Sequence, residues 1–449
     1  MAALRTDVRR RAARPVLRGT LTLVLGCLLA PPAMAVSSLS FEDLVANLKS
    51  PTAKTREDAA QELGKSRRRE AVAPLSALVR DPEPKVRLAV VRALGQLRDP
   101  DAVPALVTSL QDGDPDIREE AIGTLVELYG ERDRGGPVSR FLETFSDEYD
   151  RSSVPPYTAV DPTVFQGLAR TLRDEETRLR TESAHAIGIL GGGGVTSALV
   201  AAVQDPEADV RAAAATALGK VGTLEDGRAL VPLLSDSSAN VRNRAVQAIG
   251  VLQVNDAGPA LRELFEQNRR REQGTRYLAA LARIGDRGQA DLFRELVAST
   301  DPERRRLAVE GLARIADPSM LVGFKKDFQR EGNEDVRLAH AFALARLGDR
   351  AFLDSIVLAL GSAGSRGRRA RDYLLELGPS IVPDLYPYLN DREAKVRGAL
   401  CDVLSQLGDP GAIEPITPLL ADPSPDVADR ANRAIQRLRR VGTGSTPLP

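Results

Sequence analysis

The chain has 449 residues, with 62 Lys and Arg residues against 62 Asp and Glu residues, so its formal net charge is zero. A composition of 43% hydrophobic and 28% charged residues indicates a globular chain that is neither disordered nor polytopic in a membrane. DNA-binding proteins normally carry a large positive excess, so we expect no nucleic-acid partner. Two His and two Cys residues are too few for a family of metal sites or a disulfide framework.

The first 35 residues have the pattern of a secretory signal peptide. Six Arg residues precede the apolar run LTLVLGCLLA at 21–30, and Pro-Pro-Ala-Met-Ala follows. A basic segment, a short apolar segment and a small-x-small site predict cleavage after Ala35. Export removes six basic residues and one acidic residue, which leaves 56 basic and 61 acidic residues. We therefore expect a periplasmic or secreted chain that is slightly acidic, with no transmembrane helix after cleavage.

An alternative targeting signal includes Cys27. The tetrapeptide Val24-Leu25-Gly26-Cys27 is similar to a bacterial lipobox, in which the Cys is acylated and becomes the mature N-terminus. Leu25 is bulkier than the residue usual before the Gly, and the apolar segment before the Cys is short. Both readings stay open, and either one leaves Cys401 as the only other cysteine of the chain.

A regular period runs through the rest of the chain. Arg residues recur in equal steps at positions 56, 87 and 118, and again at 180, 211 and 242, with one doubled step between the two sets. An Ala-rich segment ending near Leu-Gly follows most of them, and then a second apolar segment. Apolar residues recur at helical spacing in both segments, as at Val86, Val90 and Leu94, so each unit is predicted to contain two amphipathic helices. Gly95 and Gly408 are predicted to end helices in the left-handed conformation.

Stacked two-helix units predict an all-α fold, an α-solenoid of about twelve to thirteen repeats. The pattern D-x5-R-x2-A-x2-ALG followed by AVPALV resembles HEAT repeats of the E–Z type, also called phycobilin-lyase-like HEAT repeats. The resemblance implies a right-handed superhelix with a concave binding surface formed by the second helices. It also implies a structural ladder of Asp and Arg residues. The predicted pairs are Asp81/Arg87, Asp112/Arg118, Asp174/Arg180, Asp205/Arg211, Asp236/Arg242 and Asp391/Arg397.

No motif in the sequence predicts catalysis. A HEAT-repeat hydroxylase holds iron through His-Glu pairs, whereas His185 and His340 both stand between alanines and are predicted to pack inside helices. Cys401 is predicted to be a buried thiol. We therefore expect no metal, no cofactor and no enzymatic activity. The alternative is a non-catalytic subunit or a cofactor-handling lyase of the E–Z HEAT type.

Aromatic residues are concentrated where the period doubles. Six of the 17 lie between residues 129 and 165, around the proline-containing stretch 146–162. We interpret this stretch as replacing a missing first helix. Phe141, Phe145 and Phe165 are the candidates for filling the resulting gap. Tyr149, Tyr157 and Phe145 are the candidates for binding a protein partner, because aromatic side chains bury much area at little entropic cost.

A second candidate surface is basic. Arg269, Arg270, Arg271, Arg304, Arg305 and Arg306 recur at close to the repeat spacing, so one edge of the solenoid could attract an anionic partner. The predicted organisation is a signal peptide at 1–35, HEAT repeats at 36–128, a degenerate repeat at 129–161, HEAT repeats at 162–440 and a flexible tail at 441–449. The expected function is an exported scaffold or adaptor that binds protein partners along the concave face.

Overall fold

The computed structural model describes residues 39–130 and 159–442, with side chains described to residue 439. Within these ranges the chain forms 24 α-helices, which alternate between short and long. The odd-numbered helices have 4 to 10 residues and are α1 Phe41–Asn47, α3 Val72–Ser76, α5 Val103–Ser109, α7 Pro162–Thr171, α9 Thr196–Ala202, α11 Leu224–Gly227, α13 Gly258–Gln267, α15 Ala290–Leu296, α17 Leu321–Arg330, α19 Leu353–Ala359, α21 Val382–Leu385 and α23 Ile413–Ile416.

The even-numbered helices have 13 to 18 residues. They are α2 Ala53–Lys65, α4 Pro84–Leu97, α6 Pro115–Tyr129, α8 Thr177–Leu190, α10 Ala208–Val221, α12 Ala239–Val251, α14 Glu272–Ile284, α16 Pro302–Ile315, α18 Glu334–Arg346, α20 Ser365–Leu377, α22 Ala394–Leu407 and α24 Pro425–Gly442. Short 3-10 turns extend several of the odd helices, and among the described helices none is both long and apolar enough to cross a membrane.

Local sequence sets the ends of these helices. Pro84, Pro115 and Pro302 occupy the first helical turn, where the missing N–H costs nothing. Gly408 ends α22 at φ 75°, as predicted. The prediction for Gly95 is wrong, because Gly95 lies inside α4 and Arg98 takes the left-handed position at φ 50°. A Cβ at Gly95 would lie 2.9 Å from Thr124 Cγ2, so this glycine serves the close approach of α4 to α6.

The even helices stack against one another in chain order, and the odd helices pack on one side of that stack. Small residues bring neighbouring even helices together. A Cβ at Gly64 would lie 2.7 Å from Ala93 Cα, and one at Gly188 would lie 3.0 Å from Ala217 Cα. The core is one continuous layer of Leu, Val, Ile and Ala side chains between the two sets of helices. The all-α solenoid predicted from the repeat is confirmed.

The face of the even helices that is turned away from the odd helices is called the inner face below. Glu310 of α16 and Tyr373 of α20 are hydrogen-bonded although α18 lies between their helices. Side chains two units apart converge on the inside of a curved stack and diverge on the outside. This contact puts α16, α18 and α20 on the inner side of the curve at these three units. For the rest of the solenoid, the expectation that the second helices line the concave surface stays a prediction.

The stack is continuous across residues 131–158. Helix α6 packs directly against α8, and α5 packs against α7. The doubled spacing between Arg118 and Arg180 thus reflects extra residues inside one unit, between its long and its short helix. No gap remains where a first helix would be missing, so that interpretation is corrected.

Candidate interaction surfaces

A ladder of ion pairs runs along the edge where odd helices end and even helices begin. Arg87 donates from Nε to Asp112 Oδ2 at 2.7 Å and from Nη2 to Asp112 Oδ1 at 2.8 Å. Its Nη1 donates to the carbonyl oxygen of Asp81 at 2.8 Å. One guanidinium therefore ties the turn of its own unit to the turn of the next, and the planar fork of Arg suits this task better than Lys would.

Seven rungs of this kind occur in the described ranges. They are Arg56–Asp81, Arg87–Asp112, Arg118–Asp174, Arg180–Asp205, Arg211–Asp236, Arg305–Glu331 and Arg397–Asp422. The predicted pairing is corrected accordingly. In all six predicted pairs the Arg donates to the backbone carbonyl of the named Asp. Where the Arg also forms a rung, the carboxylate that it contacts belongs to the following unit.

The rung carboxylates also hold the turn before each long helix. Asp81 Oδ1 accepts the N–H of Glu83 at 3.0 Å, and Glu83 is the N-cap residue of α4. Burial alone would raise the pKa of the Asp81 carboxyl, but the Arg56 guanidinium and the Glu83 amide hold it below its usual range. The ladder is interrupted after Arg242. The other rung acids stand two positions before the N-cap of a long helix, and before α14, whose N-cap is Arg271, that position holds Arg269.

The inner face between α16 and α20 is closed by a buried cluster of charges. Glu310 is 5% exposed and contacts Arg306, while Tyr373 donates its phenol to Glu310 Oε1 at 2.5 Å. Arg314 donates to Glu376 of α20 at 2.9 Å. Burial would raise the pKa of the Glu310 carboxyl, but the surrounding arginines lower it below its ordinary value.

Helix α18 shows how completely this part of the inner face is covered. Every residue from 338 to 345 is buried, so this stretch of the helix has no solvent-facing side. Phe342 stacks on Tyr373 with ring centroids 4.3 Å apart. This cluster was not foreseen from the sequence. The spacing Arg306, Glu310, Arg314 was its only signal, and that spacing is usual for exposed ion pairs on a helix.

The predicted basic edge is largely neutralised inside the protein. Arg269 pairs with Glu266 and Glu295, at 2.9 and 2.6 Å. Arg305 forms a ladder rung, and Arg306 is 8% exposed beside Glu310. Arg304 donates to the carbonyl oxygen of Arg269. Of the six predicted arginines only Arg270 and Arg271 are exposed, so a continuous cationic ridge is not present.

The aromatic candidates divide between described and undescribed residues. Tyr149, Tyr157, Phe145 and Phe141 lie outside the described residues, as do the predicted signal peptide with Cys27 and most of the predicted tail. Phe165 lies in α7 and packs against Gly192, where a Cβ would come within 2.7 Å of its ring. It therefore belongs to the packing of the solenoid.

Of the residues weighed for redox or metal chemistry, Cys401 and His340 are buried and His185 is half-buried. Cys401 is fully buried, and burial raises the pKa of its thiol to about 12, which leaves it unreactive. Burial lowers the pKa of His185 and of His340 to about 4. His340 packs edge-on against Phe324, with ring centroids 5.7 Å apart. Within residues 39–130 and 159–442, no three His, Cys, Asp or Glu side chains are grouped so as to hold a metal ion.

A cleft of about 560 Å³ opens at the ladder edge, between the C-terminal ends of α3, α5 and α7. The rung formed by Arg87 and Asp112 belongs to its lining, together with Asp81. Val79 and Val107 contribute apolar walls. The remaining lining residues are Arg80, Thr108, Gln111, Gly113 and Arg170.

A curved stack of two-helix units joined by a ladder of ion pairs is an α-solenoid. Residues 41–131 and 196–279 match the family model of HEAT repeats. These two stretches of the chain therefore consist of HEAT repeats. No curated protein matches the chain in sequence.

Three solved structures are similar to this chain. An engineered protein has 18% identity and a TM-score of 0.36, and the match covers 89% of this chain and 98% of that one. The complex of CpcE and CpcF of phycocyanin lyase from Nostoc sp. PCC7120 has 20% identity and a TM-score of 0.29, over 70% and 97%. YibA of Escherichia coli has 19% identity and a TM-score of 0.39, over 62% and 93%. None of these TM-scores reaches 0.5, so the likenesses do not bear on function.

Proposed function

We propose that the protein is an exported, non-enzymatic scaffold whose solenoid carries a partner-binding segment, residues 131–158. The observation that carries this proposal is the rung between Arg118 and Asp174. Arg118 Nη2 donates to Asp174 Oδ1 at 2.9 Å although the two residues are 56 positions apart. The ladder therefore runs unbroken past the extra residues, and both ends of the segment are attached to a continuous frame.

The location of the segment supports a binding role. In repeat proteins, insertions within single repeats are often placed on the binding face, and loops positioned by a rigid frame often carry function. The segment lies in the sequence between Gly130, at the end of α6, and the residues just before α7. It contains Phe145, Tyr149 and Tyr157, which are the aromatic residues expected to anchor a partner protein.

The inner face is closed between α16 and α20, and this favours the segment over that stretch as the place of contact. Between α16 and α20 the inner side chains bond to one another, and the middle of α18 is covered on every side. A partner could enter there only by breaking buried ion pairs, which is costly. The scaffold is therefore proposed to bind through segments outside that closed stretch.

Substitution of the two tyrosines tests the proposal. Tyr149→Ala combined with Tyr157→Ala is expected to weaken capture of partner proteins from an envelope fraction while leaving the melting temperature unchanged. Val322→Ala is the matched control, because Val322 of α17 is 79% exposed and remote in sequence from the segment. Equal capture by the double variant and the control would contradict the proposal. A chromophore that stays with the purified chain would contradict the non-enzymatic part and favour the lyase alternative.

Export is part of the proposal and rests on residues 1–35. The mature protein is expected in the periplasm or medium with Val36 as its first residue. N-terminal sequencing of the purified protein checks this. A mature chain that begins at an acylated Cys27 would replace secretion by lipid anchoring, and an uncleaved chain in the cytoplasm would contradict export.

The spacing of the Asp and Arg residues supports the E–Z subtype of the repeats. The acid and the arginine of each predicted pair are six positions apart, and the step between units is constant from Arg56 to Arg118 and from Arg180 to Arg242. A short unit of this kind leaves little room for anything except two helices and two turns.

A further inference from the structure

The cleft at the ladder edge is built by a close approach of two short helices. Gly167 of α7 has no Cβ, and a Cβ there would lie 2.6 Å from Leu110 Cδ1 and 3.5 Å from Val107 Cγ1. The missing side chain lets α7 come close against the end of α5. Arg170, one turn further along α7, thereby lines the same cleft as Gln111 and Gly113.

The carboxylates of the cleft are already occupied. Both oxygens of Asp112 accept from Arg87, and both oxygens of Asp81 accept from Arg56. These side chains form rungs of the frame, so their charges cancel in pairs and they are not free to neutralise other cations. Asp81 and Asp112 each accept a further backbone N–H, so three donors contact each carboxylate.

Two arginines of the cleft, in contrast, have no such partner. Arg80 and Arg170 are exposed, and no hydrogen bond or ion pair joins either guanidinium to another residue within the described ranges. The hydroxyl of Thr108 already donates to the carbonyl of Pro104. The polar groups of the cleft that have no partner are therefore mainly hydrogen-bond donors. Such donors suit an anionic ligand with acceptor oxygens.

We propose that this cleft binds carboxylate side chains of an acidic segment of a partner protein, through Arg80 and Arg170. The inference rests on the proposed scaffold function and gives it a second contact surface. A volume of about 560 Å³ accommodates a few side chains, and Val79 and Val107 supply apolar walls for their aliphatic parts. Two guanidiniums that act together fix an acidic segment at the frame without disturbing the rung beneath it.

Binding of a labelled peptide to the full chain tests this. A fluorescein-labelled peptide of six glutamates is titrated with the protein and followed by anisotropy, and the matching peptide of six glutamines is the control ligand. Binding of the acidic peptide is expected to weaken about tenfold when Arg80→Ala and Arg170→Ala are combined. Arg173→Ala is the matched control, since Arg173 is exposed, lies on the next turn after Arg170 and does not line the cleft.

The outcomes separate the cleft from the scaffold. Unchanged affinity in the double variant, an equal loss in Arg173→Ala, or equal binding of the glutamine peptide would overturn the cleft proposal. Displacement of the peptide by an equivalent concentration of inorganic phosphate would also overturn it, because the site would then recognise any anion. If the peptide test fails while capture still depends on Tyr149 and Tyr157, the scaffold function stands without this cleft.

Discussion

The phenol of Tyr373 donates to the carboxylate of Glu310 at 2.5 Å, although the two residues are 63 positions apart and their helices are separated by α18. In a solenoid most contacts join adjacent units, and stability is approximately a sum of terms for units and their neighbours. This bond crosses two unit steps. It links α16 and α20 and therefore makes three units depend on one buried carboxylate.

Replacement of Glu310 should destabilise the fold strongly. Glu310→Gln removes the negative charge and leaves Arg306 and Arg314 buried without full compensation. Breaking one member of a buried ionic cluster costs about 3–5 kcal/mol, so the midpoint of urea unfolding should fall. Glu266→Gln is the control, because Glu266 is 44% exposed beside Arg269 and its loss should cost less than about 1 kcal/mol. Similar effects of the two changes would show that the cluster does not hold the three units together.

Loss of a single rung of the ladder should lower stability less than loss of Glu310, and only locally. Asp112→Asn keeps the shape of the side chain but removes the charge that faces Arg87, and both side chains are mostly buried. Loss of a charge-assisted hydrogen bond of this kind costs about 1.5–3 kcal/mol. Hydrogen exchange should quicken in α4 and α6 and stay unchanged in α16. Asp101→Asn, at a site that is 63% exposed beside Arg69, should alter neither stability nor exchange measurably.

One helix end can be improved by a glycine. Ala316 ends α16 at φ 53°, a left-handed conformation that costs a residue with a Cβ about 1–2 kcal/mol. Ala316→Gly removes this strain but adds chain entropy to the unfolded state, so a net gain of about 0.5–1 kcal/mol is expected. Ala313→Gly, inside the same helix, should destabilise by about 1 kcal/mol instead. Thermal unfolding of both variants checks the sign, and a loss at both positions would contradict the assignment of strain to Ala316.

The two histidines, one buried and one half-buried, should make the fold sensitive to mild acid. Burial lowers the pKa of His185 and His340 to about 4, whereas an unfolded chain has a histidine pKa of about 6.5. The unfolded state therefore binds more protons between these values. Stability should be complete above about pH 6.5 and should decrease as the pH falls towards 4. His185→Met with His340→Met should flatten this part of the profile of unfolding free energy against pH. An unchanged slope would contradict the burial of these imidazoles.

The repeat and the helix ends could be predicted because they depend on neighbouring residues. Apolar spacing, Pro in the first turn and Gly408 past the end of α22 act within one or two helical turns. Gly95 misled the prediction because a glycine near a helix end can serve either a cap or a close contact. Its contact with Thr124 belongs to the next unit and leaves no local signal.

The inner cluster and the ladder partners could not be read from the sequence for a different reason. The choice between Asp81 and Asp112 as the partner of Arg87 depends on the distance between stacked units, which the period of the sequence does not fix. The spacing of Arg306 and Glu310 suits an exposed helix surface equally well, and Tyr373 joins them only after the stack has curved. A missing helix and an insertion both double the spacing of the arginines, so only the packing of α6 against α8 separates them.

A photo-crosslinking amino acid placed at Tyr149 in living cells tests the central claim most directly, with the same group at Val322 as the control. The scaffold function predicts one discrete adduct of constant mass at position 149 after illumination, absent at position 322 and reduced when Tyr157→Ala is added. The same set of adducts at both positions, or no adduct at position 149 while the protein is folded and exported, would contradict the account.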